Sequence, residues 1–143
     1  MRYVFIYGTL RAGEINDIGQ AAARHAIAAP RFIGRAAVAG RLYDFGEYPG
    51  LVPDEEAGLV RGDVYAIEDA LVPVLDDIEG VHPGVDSLFK SREITVAVAG
   101  RPVACFFYPV EDVSVEGRTR IEAGDWISYR LARDGVAALQ YGS

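Results

Sequence analysis

The segment Tyr7-Gly8-Thr9-Leu10-Arg11-Ala12-Gly13 contains residue types that could bind an anion. A glycine directly after an apolar run lets the backbone turn sharply, so that successive N–H groups point outward together and form a concavity for a substrate carboxylate. Arg11 could add positive charge. The alternative is a plain β-turn with Arg11 in solvent, and the spacing alone favours that alternative. A phosphate-binding loop is excluded, because Glu14-Ile15 stand where Lys and Ser or Thr would be required.

Glu79 is the candidate for proton transfer. It lies in Leu75-Asp76-Asp77-Ile78-Glu79-Gly80, a predicted helix end, where acidic side chains oppose the negative end of the helix dipole. That cost can raise the pKa of a carboxylate toward neutrality, as a general base that later acts as an acid requires. Helical geometry puts Glu79 nearer the apolar stripe than Asp76 and Asp77, which should point further toward water. The alternative is a solvated acidic helix end, which this pattern alone favours.

Apolar periodicity predicts about five strands and two or three helices that must position these two segments. The predicted strands cover 2–7, 32–43, 59–67, 93–99 and 103–110. The predicted helices run from a cap at Asn16 or Asp17 to about Ala28, from 70 to 79 with Gly80 as a left-handed cap, and from Asp125 to near Gly135. Gly100-Arg101 should form the hairpin turn between the last two strands. These elements predict a β-rich α+β arrangement with a curled or barrel-like sheet.

Aromatic side chains could line a pocket beside the two segments. The turn-forming loop 44–50 contains Tyr48, and Tyr43 precedes it. Strand aromatics such as Tyr108 could also reach a pocket, although aromatic residues in strands usually belong to the core. Cys105 lies in the most apolar strand and is predicted to be an inert core thiol.

Length and charge limit the classes of partner. The chain has 143 residues, which predicts one domain over 1–143. Its 14 basic and 21 acidic side chains give a net charge of −7, which argues against nucleic acid and anionic membrane surfaces as partners. A single cysteine and two separated histidines give no disulfide and no metal signal. With no secretory signal and no membrane-length apolar stretch, we expect a cytoplasmic protein.

Several segments together resemble the γ-glutamyl cyclotransferase-like family, including its AIG2-like and bacterial small-protein branches. The resemblance covers nearly the whole chain, because the matching segments occur in the family's order and at its separations. These segments are 4–13, 40–44, 48–52, 60–65, 75–80 and 124–126 with Tyr129.

The resemblance implies a mixed α/β fold around a small, strongly curved barrel-like sheet, with a pocket between the 7–10 turn and the helix end that bears Glu79. Backbone groups of Gly8, Thr9 and Leu10 would hold the α-carboxylate of a γ-glutamyl group. Glu79 would take a proton from its α-ammonium, and the freed amine would attack the γ-carbonyl to give 5-oxoproline and release the amine. No metal or organic cofactor is implied. The further substrate-binding residues expected on this basis are Tyr7, Arg11, Tyr43 and Tyr48.

The sequence departs from the family pattern at three positions. Phe89 stands where many relatives have a tyrosine, Arg92 cannot be aligned with the pattern, and Thr9 replaces a frequent serine. Two alternatives to the cyclotransferase stay open: a non-catalytic small-ligand-binding or regulatory module that uses the same pocket, and hydrolysis of a related amide. The sequence does not indicate the leaving amine or the oligomeric state.

Overall fold

The structure is a computed structural model that describes the backbone of residues 1–141 and the side chains of residues 1–135. Over this range a strongly curled mixed sheet is combined with three α-helices, which confirms the predicted α+β class and the curved sheet. The strands are β1 Arg2–Ile6, β2 Arg31–Asp44, β3 Pro49–Pro53, β4 Leu59–Ile67, β5 Arg92–Val98, β6 Arg101–Phe107 and β7 Thr119–Arg120. The helices are α1 Ile18–Arg24, α2 Val72–Glu79 and α3 Trp126–Tyr141.

Strand β1 lies inside the sheet, whose order is β3-β2-β4-β1-β6-β5, with β7 paired to β2. It runs antiparallel to β4 and parallel to β6. Both of its faces are buried. Phe5 and Tyr7 pack in one apolar cluster with β2 and α3 residues, whereas Val4 and Ile6 pack in a second cluster with helices α1 and α2. The turn that follows β1 therefore begins from a fixed position in the core.

The curl of the sheet brings β2 against β5, although these strands are not neighbours in the sheet order. Gly34 lies at this contact, next to an irregularity in the pairing of β2 with β4. A Cβ at position 34 would lie 2.5 Å from Cγ1 of Val98. The two strands can approach this closely because residue 34 has no side chain.

The turn region around β3 and the β5–β6 hairpin differ from the sequence prediction. Pro49 and Gly50, expected in a loop, begin β3 and pair with β2, and the first residue of a strand is a position where proline is accepted. The hairpin turn has Ala99 and Gly100 at its centre, not Gly100-Arg101. Both residues have positive φ, 50° and 79°, as the tight turn that suits twisted strands requires.

Two helix ends also differ from the prediction. Helix α1 ends at Arg24 instead of Ala28, because Ala26 adopts a left-handed conformation and the N–H of Ile27 donates to the carbonyl of Ala22 at 2.9 Å. This is the hydrogen-bond pattern of a Schellman cap. Helix α3 begins after its predicted cap, Asp125, but continues through Gly135 to Tyr141, since one glycine lowers helix stability by only about 1 kcal/mol.

Candidate active site

The segment after β1 forms a tight turn whose first glycine is required by a close contact. The N–H of Arg11 donates to the carbonyl of Gly8 at 3.1 Å, which closes a β-turn. Gly8 is absent from the residues with positive φ, so it is not needed for an unusual backbone angle. A Cβ at this position would instead lie 2.7 Å from Cγ of Pro49 in β3. Glycine therefore lets the turn lie directly against the proline ring.

The backbone N–H groups of this turn are free to bind a ligand. No hydrogen bond among the described residues uses the N–H of Gly8, Thr9 or Leu10 as a donor. Their carbonyls, by contrast, accept bonds: the carbonyl of Thr9 from Asn16 at 2.9 Å and that of Leu10 from Ile18 at 2.9 Å. The start of α1 thus fixes the turn through its acceptors and leaves its donors available.

Glu79 occupies the last position of α2, and Gly80 ends the helix in a left-handed conformation with φ 72°. The residue is half-buried, and its remaining accessible surface faces a crevice in the protein. No hydrogen bond or ion pair to its carboxylate occurs within the described part of the chain. Burial without a partner favours the neutral carboxylic acid, and it raises the pKa of Glu79 to about 7.

One crevice joins Glu79 to the turn. The crevice is lined by both candidate segments and by aromatic and proline side chains from other elements. Its volume is about 330 Å³ when the open mouth is included. Much of that space belongs to the mouth, whereas the floor is narrow. The lining residues are Phe5, Ile6, Tyr7, Gly8, Thr9, Leu10, Tyr48, Pro49, Glu79, Phe89 and Tyr108. The structure therefore places Tyr7, Gly8, Thr9, Leu10, Tyr48 and Glu79 together.

Two tyrosines form the rigid side of the crevice. The hydroxyl of Tyr7 donates to the carbonyl of Tyr108 at 2.7 Å and accepts from the N–H of Leu51 at 3.1 Å. The hydroxyl of Tyr108 donates to Asp76 at 2.7 Å. Burial and the nearby carboxylates raise the pKa of both tyrosines, so their hydroxyls stay protonated. Asp76, which was expected to point toward water, is instead bonded to this wall.

Aromatic rings form the opposite rim of the crevice. Tyr48 stacks on Phe45 with ring centroids 5.7 Å apart and packs against Phe89 at the same separation. Tyr48 is 36% exposed, so this rim lies at the surface. Phe89 has no hydroxyl to orient a ligand, and its edge contributes apolar surface only.

Arg11 and Tyr43, expected to bind substrate, do not line this crevice and make other contacts in the structure. The Arg11 guanidinium forms ion pairs with Asp63 at 3.0 Å and with Asp125 at 3.2 Å, so it joins β4 to the start of α3. The hydroxyl of Tyr43 accepts a hydrogen bond from Arg41 at 2.8 Å. Neither side chain lines the space around Glu79.

Five lining residues are not among the catalytic and substrate-binding residues predicted from the sequence: Phe5, Ile6, Pro49, Phe89 and Tyr108. Tyr108 follows β6, the parallel neighbour of β1, and is one of the strand aromatics that the sequence allows to reach a pocket. No local signal identifies Pro49 or Phe89, because both reach the crevice through tertiary packing. Within residues 1–135 no group of three or more potential metal ligands is close enough to hold an ion.

Comparisons with known proteins agree on one family. The family model described as "Gamma-glutamyl cyclotransferase, AIG2-like" matches residues 4–128. A γ-glutamylcyclotransferase family protein of Citrobacter rodentium is 29% identical over 87% of this chain and 94% of its own length. A γ-L-glutamyl-butirosin B γ-glutamyl cyclotransferase of Niallia circulans is 32% identical over 92% of this chain and 79% of its own.

A solved structure agrees with these sequence matches. The crystal structure of an AIG2-like protein from Mus musculus superimposes with a TM-score of 0.64 and 25% identity, over 77% of each chain. Among the helices of residues 1–141, none is long and apolar enough to cross a membrane.

Proposed function

The chain belongs to the γ-glutamyl cyclotransferase, AIG2-like family, and from this premise we propose that it cyclises the γ-glutamyl group of a small amide to 5-oxoproline. The family and its named relatives indicate γ-glutamylcyclotransferase activity. The assignment of residues to steps is our own proposal. A single observation carries it: an unpartnered, desolvated carboxyl group and a turn with free N–H donors line the same crevice.

The turn binds the α-carboxylate of the substrate. The N–H groups of Gly8, Thr9 and Leu10 provide donors without an acceptor among the described residues, and a carboxylate that accepts several backbone N–H bonds is held strongly where water is partly excluded. Tyr7 and Pro49 support this turn from inside. Tyr48, at the mouth, packs against the carbon chain of the substrate.

Glu79 moves the proton. Because its pKa is about 7, both the carboxylate and the carboxylic acid are well populated at neutral pH, which is the condition for one group to act first as a base and then as an acid. The carboxylate takes a proton from the substrate α-ammonium. The crevice keeps the freed amine folded toward its own γ-carbonyl, so the attack is intramolecular.

The bonds and protons of this reaction balance within the substrate. The α-nitrogen forms a bond to the γ-carbon, and the amide C–N bond to the leaving amine breaks. Glu79 returns its proton to the leaving nitrogen, and the second proton that the ring nitrogen releases is taken up by the departing amine. The products are 5-oxoproline, whose carboxylate stays ionised, and the amine as its ammonium ion. This chemistry uses no oxidant, reductant or metal, and none enters the proposal.

The test is product formation by the purified protein and two matched variants. We expect wild type to convert members of a panel of γ-glutamyl amides to 5-oxoproline, measured by mass spectrometry. Glu79→Gln should lower the rate by at least about a hundredfold, since general acid–base groups contribute 10²–10⁴-fold. Glu68→Gln removes one exposed carboxylate that lines no part of the crevice and should retain the wild-type rate.

Two results would contradict the proposal. One is full turnover by Glu79→Gln, which would remove the proton-transfer step. The other is release of free glutamate in place of 5-oxoproline, which would assign the pocket to hydrolysis. Circular dichroism of each variant establishes that a lost activity does not reflect a lost fold.

A further inference from the structure

We infer that the leaving amine of the substrate is an alkyl amine with a positively charged distal end, which Glu47 and Asp77 select. The inference rests on the proposed function, because it assigns the part of the substrate that the cyclised γ-glutamyl group leaves behind. It follows from a second groove that opens from the crevice around Glu79.

The second groove is continuous with the crevice. Four residues, Thr9, Tyr48, Glu79 and Phe89, line both spaces. A substrate whose α-carboxylate lies on the turn and whose reacting atoms lie at Glu79 must direct its remaining atoms somewhere. The groove is the space that continues past Glu79, and counted to its open mouth it contains about 800 Å³. The leaving group can therefore be several atoms longer than the γ-glutamyl part.

The walls of the groove suit a hydrocarbon chain. They include Ile15, Ile78 and Leu88 together with the rings of Tyr48 and Phe89. Ile15 is 81% exposed, an unusual amount of apolar surface for a single side chain at the edge of a groove. Contact with a ligand's methylene groups would remove part of that surface from water.

The charge of the groove has one sign. Its lining contains the carboxylates of Glu47, Asp77 and Glu79 and no Lys or Arg. His82 is the basic side chain that comes within 4 Å of Asp77 in the described chain, with Nε2 at 3.6 Å from Oδ1. Arg118 lies over the ring of Phe45, 4.5 Å from its centroid, and lines neither space. An ammonium group is attracted to such a groove, and a carboxylate is repelled.

The experiment compares three γ-glutamyl amides whose leaving groups differ only at the far end. The amines are 1,4-diaminobutane, pentylamine and 5-aminopentanoate, which carry an ammonium, a methyl and a carboxylate group after the same four methylenes. We expect kcat/KM to fall in that order, with the ammonium preferred over the carboxylate by about tenfold at low salt, and the preference to shrink as salt rises. Equal values, or a preference for the carboxylate, would overturn the inference.

Charge-removing variants identify the groups responsible. The double variant Glu47→Gln/Asp77→Asn should reduce the ammonium-to-carboxylate ratio to about two or less, chiefly by lowering kcat/KM for the ammonium-bearing amide. The matched control is Glu55→Gln/Glu56→Gln, which removes the same charge from exposed positions outside both spaces. A control that lowers the ratio equally would assign the effect to net charge and overturn the role of Glu47 and Asp77.

Binding to the Glu79→Gln protein separates this inference from the proposed function. Calorimetric titration with the three amides should give the same order of affinity without turnover. If no amide yields 5-oxoproline but this order holds, the proposed reaction fails and the selection of a cationic ligand stands. If 5-oxoproline forms from all three amides at equal rates and their affinities are equal, the reaction stands and the selection fails.

Discussion

Glu79 combines two properties that normally oppose each other in a folded protein. Its carboxyl group is held away from bulk water, yet no described residue provides a hydrogen bond to it. A structural carboxylate in such a place would be expected to acquire a partner, because an unpaired buried charge costs several kcal/mol. Glu79 lines the same crevice as the free N–H donors of the turn. Its carboxyl group is therefore available to form a hydrogen bond or ion pair with a ligand.

Removal of this carboxyl group should stabilise the protein above neutral pH. The pKa of Glu79 is raised in the fold to about 7 from 4.5, so the native state binds more protons than the unfolded state between these values and loses stability as pH rises through them. We expect Glu79→Gln to be more stable than wild type by about 2 kcal/mol at pH 8, less than the full shift in pKa would give because the side chain is only half-buried and partly screened by water, with the difference disappearing below pH 4.5. Urea unfolding at several pH values measures it, and a difference independent of pH would contradict the assignment.

Because Gly8 lies against Pro49, we expect one added methyl group at position 8 to lower both stability and activity. In Gly8→Ala the new Cβ would lie 2.7 Å from Cγ of Pro49, so the turn or strand β3 must shift. We expect a loss of about 1–3 kcal/mol in the free energy of unfolding and a larger loss of cyclase activity. Gly58→Ala is the matched control, because nothing lies within 4 Å of its Cβ position and its φ is not positive. Equal stability of the two variants in urea would show that the turn has room to adapt.

Ion pairs beside the turn connect the loop after β1, strand β4 and helix α3. Arg11 joins Asp63 of β4 to Asp125 at the start of α3, and the same Asp125 caps the helix by accepting the N–H of Ile127 at 3.1 Å. Arg130 of α3 donates to the buried Glu14 at 2.7 Å. Helix α3 thereby contacts the loop between β1 and α1 through side chains that do not line the crevice, and we expect Arg11 to act as a positioning residue.

Loss of the Arg11 side chain should therefore weaken substrate binding through the turn. Arg11→Met leaves the carboxylates of Asp63 and Asp125 without their cation, and we expect about 2–3 kcal/mol of destabilisation with an increase in KM larger than the decrease in kcat. Asp63→Asn added to Arg11→Met should recover part of the stability, because it removes an unpaired buried charge. Thermal unfolding and steady-state kinetics measure both effects. An unchanged KM in Arg11→Met would contradict the positioning role.

The sequence correctly predicted those features that depend on residues close together in the chain. The burial of β1 on both faces, the cap of α3 at Asp125 and the left-handed Gly80 all follow from residues adjacent in sequence. The sequence could not reveal that Arg11 points away from the crevice, because its partners Asp63 and Asp125 lie 52 and 114 residues further along. The same reason applies to Phe89 and Pro49. The roles of Glu79 and of the 8–10 turn stay predictions until turnover is measured.

At the scale of the whole molecule, Cys105 can report how the sheet opens. It is the only cysteine of the sequence and is 4% exposed in β6, and burial raises the pKa of its thiol to about 11. We expect native protein to react with a thiol reagent at pH 8 at least a hundredfold more slowly than protein in urea, since the thiolate is the reactive form. Rapid labelling of native protein would show that the β5–β6 hairpin opens without global unfolding.

The position of β1 in the sheet determines when the fold can form during synthesis. The first strand of the chain pairs with β4 and with β6, so it must wait for partners that leave the ribosome roughly 60 and 100 residues later. Contacts so distant along the chain form slowly. A nascent chain halted before residue 101 would keep the N–H donors of residues 8–10 and Glu79, yet it would lack the strand that closes one side of β1. Enzymatic competence should therefore require synthesis past β6, and nascent chains halted before residue 101 should be inactive.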